Sequence, residues 1–225
     1  MTLALLAALL AGGSLSAFAA PDRPEGASLA AVLSRDSLLA GLQQNLEAQR
    51  GRLGREIYSF VSTAVVRELD GKGEIKRTDT VVTWQLQRGD SLLRDSTIYT
   101  TRKPEKGKKG GSRRESASLP TLGDTSYVFQ VQPDRTIEFK PKRPKKGDLA
   151  GSLGYDPETL VLTWAEISAP KPKAPVKNFS MKIGWTQWEG MMVPERIWMR
   201  AAWKLLLMSG RMEMEIGFSD YRLHR

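Results

Sequence analysis

Side chains able to do covalent or acid–base chemistry are scarce in this chain. Its 225 residues include no cysteine and one histidine, His224, beside the final residue. Disulfides, thiol nucleophiles and thiolate zinc sites are therefore excluded. A Ser–His or Cys–His system needs an imidazole held in place by the fold, and residues so near a chain end are expected to be mobile. Paired carboxylates are the remaining route, as in glycoside hydrolysis. Glu213 and Glu215 are the nearest such pair, and they alternate with Met212 and Met214. Charges that alternate with apolar residues along a strand mark its solvent face, so this pair is expected to be solvated. The chain is read as a non-enzyme, with no metal or organic cofactor.

Apolar surface is what the sequence offers instead. Seven of the eight methionines lie from Met181 onward, and five of the six tryptophans from Trp164 onward. Methionine is flexible and polarizable, so a methionine-rich wall adapts to apolar ligands of varied shape. The same side chains also fill ordinary cores. Parity along the strands selects eleven candidates for the lining of an apolar cavity: Trp84, Leu86, Phe129, Trp164, Met181, Ile183, Trp185, Met199, Trp203, Met212 and Met214.

The elements that must position these residues are mostly strands. From Ile57 onward apolar residues recur every second position, as in Val82-Trp84-Leu86, Tyr127-Phe129-Val131, Leu160-Leu162-Trp164, Phe179-Met181-Ile183-Trp185 and Met212-Met214-Ile216-Phe218. That is the pattern of antiparallel strands with one buried face. Residues 194–208 are apolar in both parities, which predicts cover on both faces or one face against a cavity. Turn signals stand at Asp70-Gly71, Gly89-Asp90, Pro133-Asp134, Glu189-Gly190 and Ser209-Gly210, with no helical pattern between successive strands. These predict a meander. Ahead of the strands, Leu29, Val32 and Leu33 open a helical pattern that restarts at Asp36 or Ser37, continues through Leu38, Leu39, Leu42 and Leu46, ends at Gly51 and Gly54, and lies on the sheet. The expected fold class is mostly β with an N-terminal helix: a strongly curved antiparallel sheet covered by the helix and loops.

Hydrophobic residues make up 40% of the chain and charged residues 26%, ordinary globular values. Residues 3–10 are an apolar run of Leu and Ala, and Ala17 and Ala19 supply the small residues of a cleavage site. This predicts a secretory signal peptide over 1–19, a flexible leader over 20–27 and a single β domain over 28–225 in the periplasm. The run is too short for a bilayer span, which takes about 20 apolar residues. Net charge is +9, concentrated in three runs: Lys103 with Lys106, Lys108, Lys109, Arg113 and Arg114; Lys140 with Lys142, Arg143, Lys145 and Lys146; and Lys171, Lys173 and Lys177. Such a balance suits an anionic membrane surface or an acidic partner. Nucleic acid is not expected as a partner of an exported chain, and no aromatic residue interleaves the first run for base stacking.

The order of several segments resembles the LolA/LolB-like superfamily of periplasmic lipoprotein carriers. They are the Leu-striped helix over 37–50, the long first strand through Tyr58, Phe60, Arg67 and Leu69 to Asp70-Gly71, and the segment 151–159 with its Asp156-Pro157 turn. Pro194-Glu195-Arg196 then opens a late strand, and Phe218-Ser219-Asp220-Tyr221-Arg222 lies in the closing one. The likeness is greatest to the outer-membrane lipoprotein-sorting-protein-like branch. It implies a half-barrel whose concave side holds lipid or lipoprotein acyl chains, in outer-membrane lipoprotein sorting or envelope maintenance. It also implies the alternative, since a branch resembling sigma-factor regulators uses the same fold as a non-enzymatic module that binds an envelope membrane protein.

Overall fold

A computed structural model describes residues 34–89, 91–101, 119–205 and 208–224. The signal peptide, the leader and the first basic run fall outside these residues. The first element is helix α1 (Arg35–Arg55). Ser34 caps it, its side chain accepting the Ser37 N–H at 3.3 Å. Asp36 in the first turn and Arg52 and Arg55 in the last suit the helix dipole. The helix starts slightly ahead of the expected restart at Asp36 or Ser37 and runs through Gly51 and Gly54, while Leu29, Val32 and Leu33 lie outside the described residues. Leu53 is buried on the sheet, so packing carries the helix past residues of poor helical propensity. Gly54 has its own use: its backbone lies so close to Gly89 that a Cβ on Gly89 would strike it.

Ten strands follow: β1 (Ile57–Leu69), β2 (Ile75–Arg88), β3 (Ser91–Thr100), β4 (Tyr127–Val131), β5 (Thr136–Pro141), β6 (Ala150–Asp156), β7 (Val161–Ser168), β8 (Val176–Trp188), β9 (Met191–Leu205) and β10 (Met208–Leu223). They form one sheet in the order β3-β2-β1-β10-β9-β8-β7-β6-β5-β4, antiparallel at every pairing. This is the expected mostly-β class, an open curved sheet with one helix among the described residues. The meander is interrupted once. β3 and β4 do not pair but stand at the two edges, and β1 instead pairs with β10 in the middle of the sheet.

The alternation has two limits. The run 194–208 is not one strand covered on both faces: β9 ends at Leu205, β10 begins at Met208, and these two residues pair. The turn therefore comes ahead of Ser209-Gly210, which lie within β10. Trp198, on the second face of β9, is 41% exposed. Bulges also reset parity. At Thr163 the register passes from Gly154↔Trp164 to Tyr155↔Leu162, and in β3 both Leu93 and Ile98 are skipped by the β2 ladder. Extra residues of this kind bend a strand and raise its twist.

The core lies between α1 and one face of the sheet. Leu38, Leu39 and Leu42 of the helix meet Ile137, Leu153, Ala165, Ile167, Met181, Ile183, Ile197, Met199, Met214 and Ile216. A second cluster closes the C-terminal end of the helix, where Leu53 joins Tyr58, Phe60, Met191 and Val193.

Candidate functional site

The strand ends divide into two rims. The upper rim carries the turns after β2, β4, β6 and β8; the lower rim carries the connections after β1, β5, β7 and β9. Polar side chains of α1 anchor it along the upper rim. Asn45 donates to the carbonyls of Thr159 and Leu160, both at 3.0 Å. Gln49 accepts the Met192 N–H at 3.2 Å, and Arg52 donates to the carbonyls of Gly190 and Glu189 at 2.9 and 3.3 Å. Farther along, Gln43 accepts the Leu122 N–H at 3.0 Å. Beside these anchors, Asn45, Leu46, Gln49, Val161, Leu162 and Met192 line a shallow surface crevice that encloses no room for a water molecule. Pockets for drug-sized ligands hold roughly 300–1,000 Å³, so this crevice is too small for one.

The eleven candidate residues do not share one surface. Eight face α1: Phe129, Met181, Ile183, Trp185, Met199, Trp203, Met212 and Met214. Among these, Phe129, Met181, Ile183, Met199 and Met214 are packed core residues. Phe129 belongs to a separate aromatic group with Tyr127 and Phe139 near the β4 edge.

Trp84, Leu86 and Trp164 lie on the other face. The ladder sets Trp84 opposite Val61 and Leu86 opposite Ser59, while Tyr58, Phe60, Ser62 and Ala64 face the helix. The helix-facing positions of β2 are instead Thr83, Gln85 and Gln87. Gln87 accepts the Tyr58 hydroxyl at 3.1 Å and donates to Gln85 at 3.1 Å, and Gln85 donates to the Ser62 hydroxyl at 3.3 Å. Mutual hydrogen bonds allow these amides to sit where an apolar residue is expected. Trp164 is turned outward by the Thr163 bulge. Its indole covers Gly154, where any side chain would collide with it, and the Lys182 ammonium sits 5.5 Å from its ring centre.

That outer face is otherwise charged. Glu213 pairs with Arg200 at 3.0 Å, and Glu215 lies 3.8 and 4.0 Å from Arg196 and Arg67. Each carboxylate thus answers arginines on neighbouring strands. His224 is held rather than frayed: its N–H donates to the Ile57 carbonyl at 2.8 Å, and its imidazole Nε2 is 2.8 Å from the Ser59 hydroxyl. That is the spacing of a nucleophile and its base, but Ser59 is 1% exposed, leaving no approach for a substrate in this arrangement. The pair clasps the C-terminal strand to β1.

One stretch of the helix-facing side stays partly open. Toward the lower rim, Phe179, Ala201 and Met212 stand side by side across β8, β9 and β10, all partly exposed. Trp203 lies one rung farther, its ring resting on Gly210 where a Cβ would strike it. Met212 and Trp203 were accessible to sequence parity. Phe179 and Ala201 carry the same parity, but only strand register shows that they adjoin the other two.

No protein-family model matches the chain, and no curated protein matches it. Five chains of solved structures do. One is the crystal structure of MucB in complex with MucA(peri), similar at a TM-score of 0.31 and 8% identity over 85% of this chain and 100% of that one.

Proposed function

We propose that this protein is a non-enzymatic, periplasmic binding protein for lipid or lipoprotein acyl chains. The site is the partly open strip Phe179, Ala201, Met212 and Trp203. One observation carries the reading: the same helix-facing rows are packed core at Met181, Met199 and Met214 but partly exposed at this end. Apolar surface left at the margin of a core gains about 0.8 kcal/mol for each methylene it takes out of water. A shallow strip binds an extended chain weakly enough to release it, as a carrier must. The sequence resemblance to lipoprotein carriers and the predicted signal peptide agree with this role.

A second reading has its own observation. β3 is a sheet edge, and Leu93, Ile98 and Tyr99 on it are 50–61% exposed. Exposed edge strands of this kind accept a partner strand, which suits a module that binds an envelope membrane protein.

Native mass spectrometry of the protein purified from the periplasm, followed by lipid extraction, separates the two. Acyl lipid that co-purifies with the chain, and is lost from a folded Met212→Asp variant, supports the first reading. A ligand-free protein that also ignores a soluble fluorescent fatty acid refutes it and leaves the β3 edge as the site to pursue.

A further inference from the structure

Two of the three basic runs, separated by 24 residues between Lys146 and Lys171 in the sequence, meet at the lower rim. The Gly147 N–H donates to the Lys171 carbonyl at 2.8 Å. Carbon atoms of the Lys173 side chain fill the space where a Cβ on Gly147 would stand. The Lys204 N–H donates to the Pro175 carbonyl at 3.0 Å, which joins the end of β9 to the same group. Lys142, Arg143, Lys145, Lys146, Lys171, Lys173, Lys177 and Lys204 are all exposed, and none is in an ion pair among the described residues. Two acids stand nearby, and backbone groups already engage both: Asp148 accepts the Lys145 N–H at 2.7 Å and Asp124 the Ser126 N–H at 2.8 Å.

We infer that this lower rim docks on an anionic phospholipid surface. Eight exposed cations, six from two strand connections and two from the adjoining ends of β8 and β9, form a broad rim with no ion-pair partner among the described residues. Such an arrangement matches a sheet of phosphates better than a single peptide. Trp203, partly exposed beside Lys204 at the end of β9, sharpens the choice: a tryptophan next to a lysine suits a water–lipid boundary. An acidic protein would use the charges but has no need of the tryptophan. The inference goes beyond the acyl-chain reading and stands without it, although the open strip ends at this same rim, where Trp203 adjoins Lys204.

The test is sedimentation of the full-length mature protein with phosphatidylcholine vesicles, with and without phosphatidylglycerol. The protein should bind only the anionic vesicles and release them as salt rises. The variant Lys145→Glu/Lys146→Glu/Lys173→Glu should lose binding about tenfold or more. An equal reversal at the upper rim, Arg88→Glu/Arg135→Glu/Arg222→Glu, should retain most of it. No binding to anionic vesicles overturns the inference, and so does equal loss in both variants, which would reduce it to net charge. Capture of a poly-glutamate peptide in place of the vesicles overturns it in favour of an acidic protein partner. Circular dichroism verifies that each variant is folded. Binding of a soluble fluorescent fatty acid, measured on the same variants, should not change with the lower-rim reversal, so docking and acyl-chain binding fail separately.

Discussion

At the upper rim of the sheet, Asn45, Gln49 and Arg52 of α1 reach backbone groups of successive turns. At the lower rim, Lys and Arg side chains of two connections and two strand ends point into solvent with no ion-pair partner among the described residues. The upper rim spends its polar groups on internal hydrogen bonds, each contributing about 0.5–1.5 kcal/mol net. Charges at the lower rim contribute little to stability in this arrangement, because exposed cations are well solvated. One strand set therefore carries a rim that holds the fold together and a rim left for another surface. Between them the core grades from fully packed at Ile137, Ala165 and Val193 to partly open at Phe179 and Met212.

Stability measurements can break this comparison. The largest effect is expected from Leu42→Ala, since Leu42 is 1% exposed between helix and sheet. Denaturant unfolding should show a loss of about 2–5 kcal/mol, the range for cavities left by a buried leucine. Asn45→Ala should cost about 1–3 kcal/mol, because it orphans the carbonyls of Thr159 and Leu160 together. Lys145→Ala/Lys146→Ala/Lys173→Ala should stay within about 0.5 kcal/mol of the parent. A loss as large as that of Asn45→Ala would show that the lower rim is structural after all.

The smallest effect sharpens the picture at the β1–β2 turn, also on the lower rim. Asp70 accepts the N–H groups of Glu74 and Lys72 at 2.9 and 2.8 Å. These bonds, that from Glu74 foremost, hold its carboxyl below the ordinary value of 3.8. The folded state thus binds this proton less readily than the unfolded chain does. The turn's contribution is complete above the ordinary carboxylate range and is lost as pH falls through the folded value. An NMR titration of Asp70 should give a midpoint below 3.8, and Asp70→Asn should slightly lower stability at neutral pH and so flatten its acid limb.

Much of the fold is legible along the chain. The alternation Met212-Met214-Ile216-Phe218 is a strand whose apolar side faces the helix, and Leu38, Leu39 and Leu42 mark the face of α1 that covers it. Trp84 and Leu86 show where legibility stops. Period two separates two faces without saying which is inward, and the glutamines on the inward side of β2 read as solvent-facing until their hydrogen bonds with Tyr58 and Ser62 are seen. Trp164 fails for another reason, since a single bulge residue reverses parity and leaves no mark in composition.

Local patterning by itself determined that this is a strand-rich chain with a leading amphipathic helix, no thiol chemistry, and cations gathered in runs, because side-chain alternation, helical spacing and charge are properties of neighbours in sequence. Tertiary structure alone decided that β1 lies beside β10, that residues 145–147 lie beside 171–173, and that Phe179, Ala201, Met212 and Trp203 form one strip. Those juxtapositions depend on pairing register and sheet order between strands distant in the chain, and nearest-neighbour chemistry does not encode them.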